Sequence, residues 1–255
     1  QKDERNIPID QVGVKDLTYP IVLLDRENEV QQTVASINMY VNLPHDFRGT
    51  HMSRFVEILN EHHKKLQIDT IGELLQQMKT RLQAEESHIE IFFPYFLEKA
   101  APVSKAKSMT EYKCSFTGKL GEKIDLVLGV KVPVTTLCPC SKEIADQGAH
   151  NQRSIVSIKI RYEKLVWIEE LIEMAEEAAS SPVYSLLKRE DEKYVTEKAY
   201  NNPKFVEDIV RNLAIKLNAD ERIHWYQVES ENYESIHNHS AFARIEKDKN
   251  EESTV

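Results

Sequence analysis

Residues 124–134 read IDLVLGVKVPV, and this stretch decides the fold. Ile124, Leu126, Leu128, Val130, Val132 and Val134 occupy every second position, with Asp125, Gly129, Lys131 and Pro133 among the residues between them. A period of two turns one row of side chains toward a core and the other away from it, the pattern of a half-buried strand. Upstream, Ala35, Ile37, Met39, Val41 and Leu43 alternate in the same way. Downstream, so do Val156, Ile158, Ile160 and Tyr162. Strands with one polar face belong to antiparallel sheets covered on one side only.

The covering comes from helices. Met52, Phe55, Val56 and Leu59 recur at three and four, and Ile71, Leu74, Leu75, Met78 and Leu82 repeat that spacing, so two amphipathic helices follow the first strand. Thr70 and Glu73 have the spacing of a capping box, which places the second helix start near Asp69. Strand character returns over residues 88–93, stops at Pro94, and resumes through Tyr112, Cys114 and Phe116 to a hairpin turn at residues 118–121. Beyond the long strands, helices are expected at residues 166–179 and 203–217, the second with Asn202 and Pro203 at its cap and first turn. Strands at 223–230 and 240–245 close the pattern, and a charged tail frays from residue 246.

The element order, strand, helix pair, strands and then strands, helix pair, strands, predicts an α+β fold of two tandem modules. These are residues 1–118 and 119–246, each an antiparallel sheet with paired helices on one face, ahead of a flexible tail at 247–255. Long strands without edge protection predict edges that pair between subunits of a homo-oligomer.

Composition narrows the function. The 255 residues are 41% hydrophobic and 29% charged, ordinary for a folded protein, and 33 Lys and Arg against 42 Asp and Glu give a net charge of -9 that disfavours nucleic-acid binding. No apolar run approaches the length of a membrane span, and the first residues, QKDERNIPID, are charged where a signal peptide is apolar, so a soluble cytoplasmic protein is expected. The seven glycines form neither GxGxxG nor GxxxxGK[ST], which leaves side chains or helix ends to hold any phosphate. Three cysteines make no disulfide framework; reduced thiols or a metal ligand are the expected use.

Three clusters carry the chemistry. TTLCPCSK, residues 135–142, follows the longest strand; if it stays extended, Cys138 and Cys140 point the same way, and His150 lies twelve residues after Cys138. A thiolate with an imidazole suits zinc and similar ions, although inert core cysteines and a hydrogen-bonding histidine fit the same spacing. Residues 188–201 mix Lys188, Arg189, Glu190, Asp191, Glu192 and Lys193 as a solvated helix face would. Glu207, inside the apolar period of Phe205, Val206, Ile209 and Val210, is either a boundary residue or a pair of acceptors for a base edge. The third cluster is Glu234, His237 and His239, a polar turn or a proton-transfer group.

The stretches RNIPIDQVG, TLCPCSKEI, GAHNQRS, LLKREDEKYVTEKAYNNPKFVED and YESIHNHSA closely resemble the prokaryotic type IB GTP cyclohydrolase I family, from Arg5 to about Glu246. The resemblance implies tunneling-fold modules assembled as a homotetramer with active sites near subunit interfaces. It also implies conversion of GTP and water to 7,8-dihydroneopterin triphosphate and formate, the entry to folate biosynthesis, with a divalent zinc, manganese or iron ion whose bound water attacks guanine C8. Carried over by motif, Cys138, His150 and Glu192 are the metal residues, Cys138, His150, Glu234 and His237 the catalytic ones, and Glu207 the purine anchor. Lys142, Arg153, Lys188 and Arg189 are candidates for the triphosphate on charge alone. Two alternatives stay open: an enzyme like the related nitrile reductases, with Cys138 as nucleophile, and a purine- or pterin-binding module without catalysis.

Overall fold

A computed structural model describes residues 4–62 and 68–250. Nine strands and six helices alternate along these residues. The strands β1 (Ile9–Asp25), β2 (Glu29–Leu43), β3 (Ser87–Ala100), β4 (Lys107–Leu120), β5 (Ile124–Leu137), β6 (Asn151–Tyr162), β8 (Ile223–Asn232) and β9 (Ala241–Asp248) hydrogen-bond in that order, with the two-residue β7 (Ser181–Pro182) beside β5. By compactness the chain divides into two units, residues 1–94 with 114–128, and residues 95–113 with 129–255. The module boundary expected at 118 therefore falls inside β4 (Lys107–Leu120), whose residues belong partly to each unit.

In the first unit β1 (Ile9–Asp25) and β2 (Glu29–Leu43) form an antiparallel hairpin, and β2 continues onto β3 (Ser87–Ala100). Alternation in β2 follows the expected pattern, with Ala35, Ile37, Met39, Val41 and Leu43 all buried. Helices α1 (Met52–His62) and α2 (Ile68–Leu82) bury Phe55, Ile58, Leu59, Ile71, Leu74, Leu75 and Met78. α2 starts at Ile68, so Thr70 lies within its first turn and not at its cap. Pro94 does not stop β3: it lies beyond the last β2–β3 pair at Phe92, and its carbonyl accepts from the Thr33 hydroxyl at 2.9 Å.

β1 has no clean alternation because its register shifts twice, between Ile9 and Val12 and between Val14 and Leu17. Asp16 sits in the second shift with φ at 55° and donates its N–H to Asn38 Oδ1 at 2.8 Å. Gly13 lies between the two shifts, where a Cβ would stand 1.9 Å from the Met39 carbonyl oxygen. Only hydrogen fits there.

The second unit holds the remainder of β3, β4 and β5 (Ile124–Leu137), together with β6 (Asn151–Tyr162), β8 (Ile223–Asn232) and β9 (Ala241–Asp248). Helices α4 (Ile168–Ala178) and α6 (Val206–Ala219) bury Leu171, Ile172, Ala175, Ile209, Val210, Leu213 and Leu217. The residues of the expected fraying tail up to Asp248 belong to β9, held by the antiparallel ladder Trp225↔Asp248 to Asn232↔Ala241; residues 251–255 lie outside the described part.

Two caps differ from expectation. α6 begins behind Phe205, whose N–H is taken by the Asp208 carboxylate at 2.9 Å, so Asn202 and Pro203 stand ahead of it. Asn202 instead ends α5 (Arg189–Asn201), the helix that the charge-rich segment forms. Its side-chain amide donates to the carbonyls of Ala179 and Ser180, at 2.9 and 3.2 Å.

Candidate active site

Sheet topology closes the gap between Cys138 and His150. β5 and β6 are neighbours, Cys138 follows the last residue of β5 and His150 precedes the first of β6, and the Cys138 N–H donates to the His150 carbonyl at 3.1 Å. β8 lies on the far side of β6 with Ser154 opposite Asn232, and the Tyr233 N–H reaches the Arg153 carbonyl at 3.0 Å. Three motifs far apart in the chain thus meet at one end of three adjacent strands. There the His150 Nδ1 is 3.8 Å from Glu234 Oε2, both side chains mostly buried, at 11% and 13% exposure.

The C-x-C segment is not extended. Cys138 caps the short helix α3 (Pro139–Ile144), with Pro139 in the first turn where its missing N–H costs nothing. The turn separates the two thiols: Cys138 is half-buried and Cys140 exposed. Ser141 knits the site together. Its N–H points at Cys138 Sγ at 3.5 Å, its hydroxyl donates to the Cys138 carbonyl at 3.3 Å, and its Oγ accepts the His150 N–H at 3.0 Å.

Behind His150 runs a ladder that sequence reading missed. His150 Nδ1 meets Gln152 Oε1 at 2.9 Å, Gln152 Nε2 meets Thr136 Oγ1 at 2.9 Å, and Thr136 Oγ1 meets Ser154 Oγ at 2.8 Å. Gln152 is 7% exposed, and Thr136 and Ser154 are fully buried. The available signal was polarity at inward positions: Gln152 and Ser154 fall in phase with Val156, Ile158 and Ile160 on the buried face of β6.

The other expected residues are more dispersed. Glu192 is exposed in the first turn of α5, while the far end of that helix meets α3 through a 2.5 Å bond from Lys142 Nζ to the Tyr200 carbonyl. Eight helical residues separate Glu192 from Tyr200, about 12 Å along the axis. Among the described residues no three His, Cys, Asp or Glu side chains converge in a group able to hold a metal ion. His237 and His239 stack with centroids 5.0 Å apart in the exposed loop after β8. Glu207 is exposed at the start of α6.

Of the four phosphate candidates, Lys142 is engaged, its ammonium also 4.3 Å from the Tyr200 ring centroid. Lys188 and Arg189 are exposed at the start of α5. Arg153 faces a groove of about 530 Å³ on the open face of the second unit's sheet, beside Lys113, Lys131, Glu229 and Glu231.

Asp191, next to Glu192, anchors α5. Fully buried, it accepts from the N–H groups of Val103, Ser104 and Lys188 and from the Ser104 hydroxyl. Burial pushes its carboxyl up, but these donors outweigh it and hold the group well below the usual carboxylate range.

Residues 1–243 match the family described as type I GTP cyclohydrolase folE2. The GTP cyclohydrolase FolE2 of Geotalea uraniireducens is 62% identical over 250 residues, 98% of this chain and 92% of that protein. Its counterpart in Geobacter sulfurreducens is 60% identical over 97% of this chain and 96% of that one. Among solved structures, a uricase from Bacillus fastidious superposes with a TM-score of 0.58 at 7% identity, covering 97% of this chain and 94% of that one. The Arthrobacter globiformis uricase gives 0.53 at 10%, over 93% of each chain. At such identities the likeness speaks for the fold alone: a mixed α+β architecture on a large antiparallel sheet, of tunneling-fold type.

Proposed function

Since the chain belongs to the type I GTP cyclohydrolase FolE2 family, we propose that the end of the sheet holding Cys138, His150 and Glu234 is where it opens the guanine ring. The protein is a GTP cyclohydrolase of folate biosynthesis, converting GTP and water to 7,8-dihydroneopterin triphosphate and formate. FolE2 takes the place of the narrower type IB name suggested by the motifs, and ring opening takes the place of nitrile reduction and of a non-catalytic role.

The observation that carries the site assignment is that, at the ends of β5, β6 and β8, the backbone of Cys138 is bonded to that of His150 while the His150 ring lies beside the Glu234 carboxylate. The donor chemistry fits a divalent ion: Cys138 offers sulfur, and His150, with Nδ1 turned to Gln152, leaves Nε2 for ligation. Zinc and iron suit a thiolate with an imidazole, and manganese would need oxygen donors besides, a role for Glu192 if a neighbouring copy or a substrate-bound arrangement brought it to the ion. An ion held there would lower the pKa of water enough to make hydroxide available near neutral pH for addition at C8.

The remaining work falls to side chains. Glu234, beside His150, takes up the proton that water loses as it adds to C8, and His237 returns one to the ring nitrogen released from that carbon. Glu207 accepts from N1–H and the 2-amino group of guanine, two adjacent donors matched by two carboxylate oxygens. Arg153, Lys188 and Arg189 serve the triphosphate, with Lys142 already bound to Tyr200.

Assembly completes the proposal. The position of Glu192 on an exposed helix supports a homotetramer of tandem-module chains in which neighbouring copies finish each site. A cytoplasmic setting fits the reduced cysteines and the substrate. No helix among the described residues is long and apolar enough to cross a membrane.

The test is incubation with GTP and individual divalent ions, reading formate and oxidised pterin fluorescence together. Cys138→Ala is expected to abolish both signals and tight metal binding. Near-normal product from that variant refutes the site.

A further inference from the structure

We infer that Gln152 is a positioning residue that fixes the tautomer of His150, holding the proton on Nδ1 and leaving Nε2 as the free electron pair. The inference rests on the reading of His150 as a metal ligand and names what prepares it.

An imidazole next to a neutral amide has two choices. If Gln152 presents its oxygen, Nδ1 must carry the proton and Nε2 is the basic nitrogen; if it presents its NH₂, the tautomer is reversed and Nε2–H can bind no ion. The hydroxyls of Thr136 and Ser154 can each donate or accept and so hold the amide firmly in place, while the choice of orientation is made by the Glu234 carboxylate beside the ring. Gln152 Nε2 faces Thr136 Oγ1 at 2.9 Å, and that hydroxyl, 2.8 Å from Ser154 Oγ, can accept from the amide while donating onward to the serine. Every link of the chain His150 Nδ1–H to Gln152 Oε1, Gln152 Nε2–H to Thr136, and Thr136 O–H to Ser154 is then satisfied. Because Gln152, Thr136 and Ser154 lie out of water, the chain must run in one direction throughout, since a single reversed link finds no solvent to compensate it.

Glu234 biases the same choice from outside. Its Oε2 lies 3.8 Å from His150 Nδ1, and a carboxylate stabilises an N–H there and repels a lone pair. The backbone fixes the ring's base, since the His150 N–H is held by Ser141 and its carbonyl by Cys138. Amide, carboxylate and backbone together leave one ring nitrogen, Nε2, unclaimed.

The experiment compares Gln152→Glu, which keeps an acceptor against Nδ1, with Gln152→Met, which keeps the size and loses the acceptor. Both lose the N–H donor to Thr136, but the glutamate can still accept from the Thr136 hydroxyl, so thermal melts of both variants are run beside the metal titrations to separate a loss of stability from a loss of affinity. Affinity of the full-length protein for Zn²⁺, by competition with a chromophoric chelator, is expected to fall roughly 10- to 100-fold in Gln152→Met and to stay within about threefold of wild type in Gln152→Glu. Co²⁺ titration, read from the thiolate-to-cobalt absorption, follows the same order. Thr136→Val, which conserves shape and removes the anchor of the Gln152 amide, is expected to weaken binding about threefold or more.

Equal losses in the two Gln152 variants, or wild-type affinity in both Gln152→Met and Thr136→Val, overturn the inference. Should Gln152→Met fail to fold, Thr136→Val decides alone by the same threshold. His150→Ala separates the two levels. If it binds Zn²⁺ as tightly as wild type, the ligand reading itself fails; if it weakens binding while Gln152→Met does not, only the positioning role fails.

Discussion

Asn202→Ala tests whether the approach to Cys138 is held by the end of α5. The Asn202 amide donates to the carbonyls of Ala179 and Ser180, residues 1% and 0% exposed. Ser180 in turn donates its N–H to the Thr135 carbonyl and accepts the Leu137 N–H on its hydroxyl, while Lys204 N–H holds the Leu137 carbonyl. Removing the amide strands two buried acceptors. Each costs about 1–3 kcal/mol, and because adjacent losses are not additive the total is about 2–4 kcal/mol. For a chain of this size that is a fall of about 5–15 °C in Tm. Circular dichroism melts at one fixed protein concentration measure it, with urea unfolding as a second scale. Asn202→Asp is isosteric but sets acceptors against acceptors, so it is expected to be at least as destabilised. A loss below about 1 kcal/mol in the alanine variant, or an aspartate variant as stable as wild type, refutes the reasoning.

Gly13→Ala drives a methyl group into the Met39 carbonyl, an obstacle of backbone that cannot swing aside; a loss of roughly 2–3 kcal/mol by urea unfolding is expected, and a wild-type midpoint contradicts it. Arg222 binds Glu170 at 2.5 Å and Asp220 at 2.7 Å, and its hydrogen bonds hold both carboxyls below their ordinary values. A carboxyl lowered by folding stabilises the native state above its unfolded pKa and loses that contribution as pH falls through the folded one. Arg222→Gln should therefore cost roughly 2 kcal/mol at pH 7, with the gap to wild type closing as pH drops below about 4. A gap independent of pH down to about 3 excludes this ion-pair account. For the substrate, the proposed purine contact predicts that Glu207→Gln raises KM for GTP roughly 10- to 100-fold with a smaller change in kcat, since it would replace one of the two acceptors facing the base edge with a donor. Unchanged steady-state kinetics remove Glu207 from the purine site.

Alternation of apolar residues by twos and by threes and fours was enough to reveal β2, β5, β6, α1, α2, α4 and α6, because in each one face is buried over most of its length, although Ile124 at the head of β5 and Met52 at the head of α1 are exposed. It failed for β1, where two register shifts break the period, and for the end of β9, whose charged residues are held by backbone pairing to β8 and not by burial. The same limit applies to caps. Asn202 looked like the start of α6, and only its contacts with the turn at Ala179 and Ser180 show it closing α5.

The site divides along the same line. Residue type and the family motifs were enough to single out Cys138, His150 and Glu234 as candidates. What brings them together is the neighbour relation of β5, β6 and β8, a property of long-range pairing that local spacing does not contain. Gln152 and Thr136 come together with His150 only in three dimensions, because a hydrogen bond is decided by direction and distance between atoms whose separation along the chain says nothing of either.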